Sequence, residues 1–155
     1  MTWGDRPSGR AGHIRQRLWA SGLAIATLVA GCSESKLSQC NRLSQVVNST
    51  VSEVQSVVRA NTQPNDQAFS AVADRFEQGK TAVSEVSLSD AQLNEYKSRL
   101  LTMYDQIITA ARKVSTELQQ ENFDAARSAH QEFLTAASQE SPLVDEVNTY
   151  CQVSP

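Results

Sequence analysis

The sequence predicts an all-α protein, an up-down-up-down four-helix bundle with a kinked last helix. Three observations carry that expectation. After Gly31 the chain keeps one glycine, Gly79, and the prolines Pro64, Pro142 and Pro155, so little interrupts long helices. Apolar residues then recur at spacings of three and four in four successive segments. Two cysteines, Cys40 and Cys151, stand at the outer ends of the first and last segments, where an even number of helices brings the chain ends to one pole.

The first 31 residues read as an address. Residues 1–17 are polar and carry Arg6, Arg10, Arg15 and Arg17 against Asp5, and the 14 residues from Leu18 to Gly31 are mainly apolar. That run suits the core of a signal peptide and is short of the ~20 residues that span a bilayer. Arg15-Gln16-Arg17 is not a twin-arginine pair, so general secretion is expected. Leu28-Val29-Ala30-Gly31-Cys32 ends the run, and Val29-Ala30-Gly31-Cys32 resembles the lipobox of bacterial lipoproteins. That resemblance implies cleavage before Cys32, a diacylglycerol thioether on its sulfur and acyl chains of the palmitate kind. An ordinary signal peptide followed by a chance cysteine is the alternative. Two or three acyl chains hold a protein stably, since each buried CH₂ contributes ~0.8 kcal/mol. Ser33 rather than aspartate follows the cysteine, which by resemblance to a sorting rule of some Gram-negative bacteria disfavours inner-membrane retention. Residues 32–39 are expected to form a tether, its part after the cysteine reaching at most ~25 Å.

Of the chain's 14 basic and 17 acidic residues, 10 and 16 follow Gly31, a formal net charge of −6. An acidic domain with no run of lysine or arginine is a poor binder of nucleic acid or anionic lipid. Arg112-Lys113 and Arg75 are too sparse for a basic patch.

The bundle domain is expected over residues 40–152. The first helix should run from about Ser38 to Asn61 with the stripe Cys40, Leu43, Val47, Val51, Val54 and Val58; its valines cost helix propensity, so packing must hold it. Pro64 marks the first break. The second helix, about Asp66 to Val86, carries Phe69, Val72, Phe76, Gly79, Val83 and Val86. Gly79 on that stripe reads as close approach of a neighbouring helix, with a kink as the alternative. Ser89 and Gln92 have capping-box spacing and open a third helix of about 30 residues, or ~45 Å, with Leu88 placed to staple onto Leu93. Its stripe is Leu93, Tyr96, Leu100, Met103, Ile107, Ala111, Val114 and Leu118. A reversal at Glu121 or Asn122 leads to the fourth helix, in which Phe123, Ala126, Ala129, Phe133 and Ala137 should face inward. Ser141-Pro142, a cap followed by proline at the first helical position, should restart it, with Leu143, Val147 and Tyr150 continuing the face.

With Cys32 used for lipid, Cys40 and Cys151 are left in an oxidising compartment and are expected to form a disulfide; two free thiols are the alternative. Its bridge would put both chain ends at the membrane-facing pole and the tips near Pro64 and Asn122 at the other.

No constellation of residues points to catalysis. After the leader His130 is the remaining histidine, and Arg127, not glutamate, stands three residues before it, against a di-iron bundle site. A haem held by Met103 and His130 is conceivable on chemistry alone, but methionine on an apolar stripe is usually core, and His130 reads as a surface or boundary residue. There is no CxxCH, no glycine-rich phosphate loop and no nucleophile elbow. Asp66, Asp74 and Glu77 recur at helical intervals and read as a solvated face. No cofactor or metal is expected.

Ser38-Gln39-Cys40-Asn41, the valine-rich first helix and the closing Asn148-Thr149-Tyr150-Cys151-Gln152 are similar to small helical lipoproteins of cyanobacteria. That family implies an anchor and a helical fold but no activity. A wider similarity, to bundle lipoproteins on the lumenal side of photosystem II, rests on architecture and anchor alone and is analogy. The expected protein is therefore a non-catalytic bundle in the bacterial cell envelope, tethered to a membrane, facing an extracytoplasmic space, and binding or stabilising a protein partner. The alternatives are a small-ligand carrier, an envelope structural lipoprotein and an enzyme. The ending Val153-Ser154-Pro155 lacks the terminal lysine of the wall-linked structural type.

Overall fold

A computed structural model describes residues 34–61 and 63–152. The leader, the Leu28–Cys32 stretch and the lipidation site at Cys32 lie outside the described residues. Five helical segments follow one another: α1 Lys36–Ala60, α2 Asp66–Glu85, α3 Ala91–Gln119, α4 Phe123–Ala137 and α5 Glu140–Gln152. The protein is an all-α helical bundle, with α4 and α5 as the two halves of the expected last helix.

Local chemistry sets the ends of each segment. Ser35 caps α1 by accepting from the Ser38 N–H at 3.2 Å, so the helix starts at Lys36 rather than Ser38 and takes in half of the expected tether. Asn65 caps α2 through the Ala68 N–H at 2.7 Å. The expected capping box at Ser89 does not form. Asp90 is the cap of α3, accepting from the Leu93 N–H at 2.9 Å, and Gln92 bonds Glu95 instead. Serine and aspartate are both good caps, and only Asp90 is also held by the Tyr150 hydroxyl, as described below. The reversal after α3 is a Schellman turn. Glu121 takes φ 56°, its N–H reaches the Leu118 carbonyl at 3.1 Å, and the Asn122 N–H reaches Glu117 at 2.9 Å.

The last helix breaks earlier than expected. Ser138 and Gln139 form the turn, α5 begins at Glu140, and Ser141 and Pro142 lie inside its first turn. Proline has no N–H to give the Ser138 carbonyl, which interrupts the ladder one turn upstream of the proline itself.

Ion pairs and hydrogen bonds fix how the segments lie. From α2 to α3 they join Asp66 to Gln119, Asp74 to Arg112 and Lys80 to Asp105, and Lys97 caps the α2 end by donating to the Ser84 and Val86 carbonyls. From α3 onward they join Lys113 to Glu132, Gln106 to Gln139 and Arg99 to Glu146. Within each set, rising numbers on one segment meet falling numbers on the next.

α3 lies at the centre, buried along Leu93, Tyr96, Leu100, Met103, Tyr104, Ile107, Ala111 and Val114. Gly79 lets α1 and α2 touch. A Cβ placed there would collide with the Thr50 side chain and lie 2.9 Å from even its Cβ, so close approach, not a kink, accounts for this glycine. On α1 the buried positions are Gln39, Cys40, Leu43, Val47 and Thr50. The expected stripe holds in its first half only: Val51 and Val54 are half-buried, and Val58 is 58% exposed. On α4, Ala126 and Ala129 are buried and Phe133 half-buried, but Phe123, expected inside, is 65% exposed. The departure at Val58 has a cause in the packing. Among the described residues α1 rests on α2 and meets α5, while α1 and α4 share no comparable packing, so the seam between them stands open.

Candidate functional site

The two poles of the bundle differ in chemistry. At the first, Cys40 and Cys151 are joined in a disulfide with a Cα–Cα distance of 5.9 Å, linking the start of α1 to the end of α5. Cys40 is buried and Cys151 half-buried. Next to it Gln39, 2% exposed, uses its whole amide. Its Oε1 accepts from the Ser89 N–H at 2.7 Å and the Asp90 N–H at 3.0 Å, and its Nε2 donates to the Glu34 carbonyl at 3.1 Å. The residue preceding the disulfide thus holds the loop that starts α3 by binding the backbone of both Ser89 and Asp90.

Asp90 in turn binds α5. The Tyr150 hydroxyl donates to its Oδ2 at 2.9 Å and Oδ1 at 3.1 Å. The Leu93 N–H, foremost, and the Tyr150 hydroxyl hold the Asp90 carboxyl below the ordinary carboxylate value, and Asp90 pushes the Tyr150 phenol up. The Lys36 ammonium sits 4.2 Å from the Tyr150 ring centroid, and Tyr96 packs edge-on to that ring at 5.9 Å. One turn on, Arg99 grips Glu146 with two nitrogens at 2.6 and 2.9 Å, which raises the guanidinium and lowers the carboxyl. These bonds lock α1, the start of α3 and α5 together at this pole.

The other pole holds the open seam. About 25 Å along α1 from the disulfide, at 1.5 Å per residue, a cleft of about 470 Å³ opens. Val57 and Val58 of α1 form one wall and His130 and Phe133 of α4 the other; Ala68, Phe69 and Val72 of α2 lie between them, and Asn61, Gln63 and Pro64 complete the lining. Phe69 stands edge-on to both His130 and Phe133 at 5.6 Å, and His130 and Phe133 stack at 6.3 Å. Among the described residues no Asp, Glu, Lys or Arg lines the cleft. His130 is half-buried and makes ring contacts but no hydrogen bond to a described residue.

The structure separates the pair considered for haem: Met103 is 1% exposed inside the core cluster, and the lining of the cleft beside His130 does not include it. Among the described residues no group of three or more histidine, cysteine or acidic side chains is placed to hold a metal. Asp74 and Glu77, read as a solvated face, are ion-pair partners of Arg112. Sequence reasoning missed Gln39, Thr50 and Asp90 because an apolar periodicity counts polar residues as outside. It missed the cleft because the stripes do not say which helix leaves another uncovered. The cluster of Phe69, His130 and Phe133 was visible only as two separate stripes. No protein-family model, no curated protein and no solved structure matches the chain.

Proposed function

We propose that the chain is a lipid-anchored, non-catalytic helical bundle of the bacterial cell envelope that binds or stabilises a protein partner on the extracytoplasmic side of a membrane. The observation that carries this reading is the polarity of the bundle. The disulfide ties α5 to a residue eight positions after Cys32, so an acyl group on Cys32 would hold the locked pole at the bilayer. From Cys32 to the first residue of α1 the chain reaches only ~14 Å, and Leu37 in that first turn is 60% exposed, a residue suited to the bilayer surface. Toward the other pole α4 carries Phe123 and Leu134 on one stripe, 65% and 45% exposed, two apolar side chains on which a partner would rest.

Two experiments test the reading. Cys32→Ala should abolish labelling by radioactive palmitate and move the protein from membranes to the soluble fraction; retention on membranes would refute the anchor. Gentle detergent extraction and capture from native membranes should bring down a stoichiometric protein complex, lost in the double variant Phe123→Asp, Leu134→Asp. Capture of a lone monomer would refute the partner. A second reading, a carrier of a small ligand, is favoured by the cleft and its lining without Asp, Glu, Lys or Arg.

A further inference from the structure

We infer that the cleft between α1 and α4 is a binding site for a single small, mainly apolar ligand that carries one hydrogen-bonding oxygen, which meets His130. This deepens the carrier reading and is independent of the anchor and of any protein partner.

Size sets the first bound. About 470 Å³ lies within the range of roughly 300–1,000 Å³ typical of small-molecule sites and is too small to seat a whole helix. Shape sets the second. Phe69, His130 and Phe133 surround one face with edge-on and stacked rings, the arrangement that receives a flat or chain-like apolar body. Chemistry sets the third. With no Asp, Glu, Lys or Arg among the lining residues, an ion would lose its hydration without compensation, so a multiply charged ligand is excluded. Of the two amides in the lining, Asn61 donates to the Val57 carbonyl at 2.8 Å and Gln63 lies at the exposed rim, whereas His130 is half-buried beside the aromatic rings. His130 bonds to no described residue, and its imidazole both donates and accepts, so an alcohol, phenol or carbonyl oxygen completes it.

The site is tested with N-phenyl-1-naphthylamine, whose emission rises in apolar surroundings, on the full chain carrying Cys32→Ser with its disulfide intact. Enhancement should saturate at one probe per chain. Val58→Asp, a change at an exposed wall position, and Ala68→Trp, which fills the floor, should each weaken binding at least tenfold while helical circular dichroism is unchanged. Phe123→Asp, outside the lining, should leave it as it was. The absence of saturation, or saturation untouched by Val58→Asp and Ala68→Trp, would overturn the site. The polar contact is read by displacement. 2-Naphthol should displace the probe about three- to tenfold better than 2-methylnaphthalene of the same shape, the gain of one hydrogen bond, and His130→Phe should erase the difference. Equal displacement by the two in the unaltered protein would overturn the assignment to His130. Capture of a lone monomer from native membranes, with probe binding intact, would refute the partner alone, so the two failures are told apart.

Discussion

Burial without a hydrogen-bond partner makes Tyr104 the residue whose polar atom does least for the fold. Its side chain is fully buried on α3, packed edge-on to Phe76 at 5.1 Å, and its hydroxyl bonds to no described group. Burial pushes the phenol up to about 12 and outweighs the Thr50 hydroxyl, which donates to the Val46 carbonyl at 3.1 Å and stands close enough to lower the phenol somewhat but outside hydrogen-bond geometry. Tyr104→Phe removes a desolvated hydroxyl and keeps the ring, so urea unfolding should show the variant more stable by about 1 kcal/mol. A loss of stability would show that the hydroxyl is satisfied after all. Gly79 gives the opposite sign. Alanine would gain ~1 kcal/mol of helix propensity, but its methyl must displace Thr50, and overpacking costs about 1–3 kcal/mol. Gly79→Ala should therefore destabilise, and the double change with Thr50→Ala should recover most of the loss. Asp90 links charge to stability. Its carboxyl is held below its ordinary value in the folded state, so its contribution is present above the unfolded value near 3.9 and is lost as pH falls through the folded one. Asp90→Ala should cost about 1–2 kcal/mol at pH 7, the usual scale of a lost cap, and less once pH has fallen through the folded value, where the protonated carboxyl keeps only the weaker hydrogen bonds of a neutral group.

At the scale of the helices, periodicity located all the segments and most of their buried faces. Its errors share a physical origin. On α1 the apolar count led through Val51, Val54 and Val58, whereas the buried line runs through Cys40, Leu43, Val47 and Thr50. Threonine enters that line because glycine on α2 makes room for it, a fact that no single helix contains. Ser89 and Asp90 were equally good caps by sequence, and only Asp90 is also held by the Tyr150 hydroxyl, sixty residues away. Glu121 illustrates a feature that was legible. The reversal there is a left-handed turn that favours glycine, occupied by a residue for which it costs about 1 kcal/mol. Glu121→Gly relieves that cost but loosens the unfolded chain by a further 0.4–1 kcal/mol, so the net gain should stay below about 1 kcal/mol. A thermal melt of the variant that fell by several degrees would contradict the assignment of strain to this residue.

Across the whole molecule the cohesion is uneven, and its distribution is what the two cysteines accomplish. α3 is covered by α2 on one side and by α4 and α5 on the other, whereas α1 leans on α2, is crossed briefly by α5 and faces an open seam over its second half. The disulfide spans 111 positions, and in the chain-entropy model closure of such a loop stabilises by ~4–5 kcal/mol. Reduction should lower the melting temperature by on the order of 15 °C, and intact mass should rise by two hydrogens. Because the bridge fastens α1 at the pole where its packing is already good, loss of the bridge should not loosen the chain evenly. Hydrogen exchange in the oxidised protein should be slowest in α3 and fastest, among helical amides, in the last turns of α1 from Val54 to Ala60. After reduction the fast region should spread down α1 toward Cys40 while α2 and α3 stay paired through Arg112 with Asp74 and Lys97 with the α2 end. Uniform acceleration over all five segments would mean that the bundle unfolds as one unit and that the open seam carries no local weakness. Exchange confined to α1 would identify that helix as the mobile wall of the cleft, and a ligand seated against Val57 and Val58 should then slow it again.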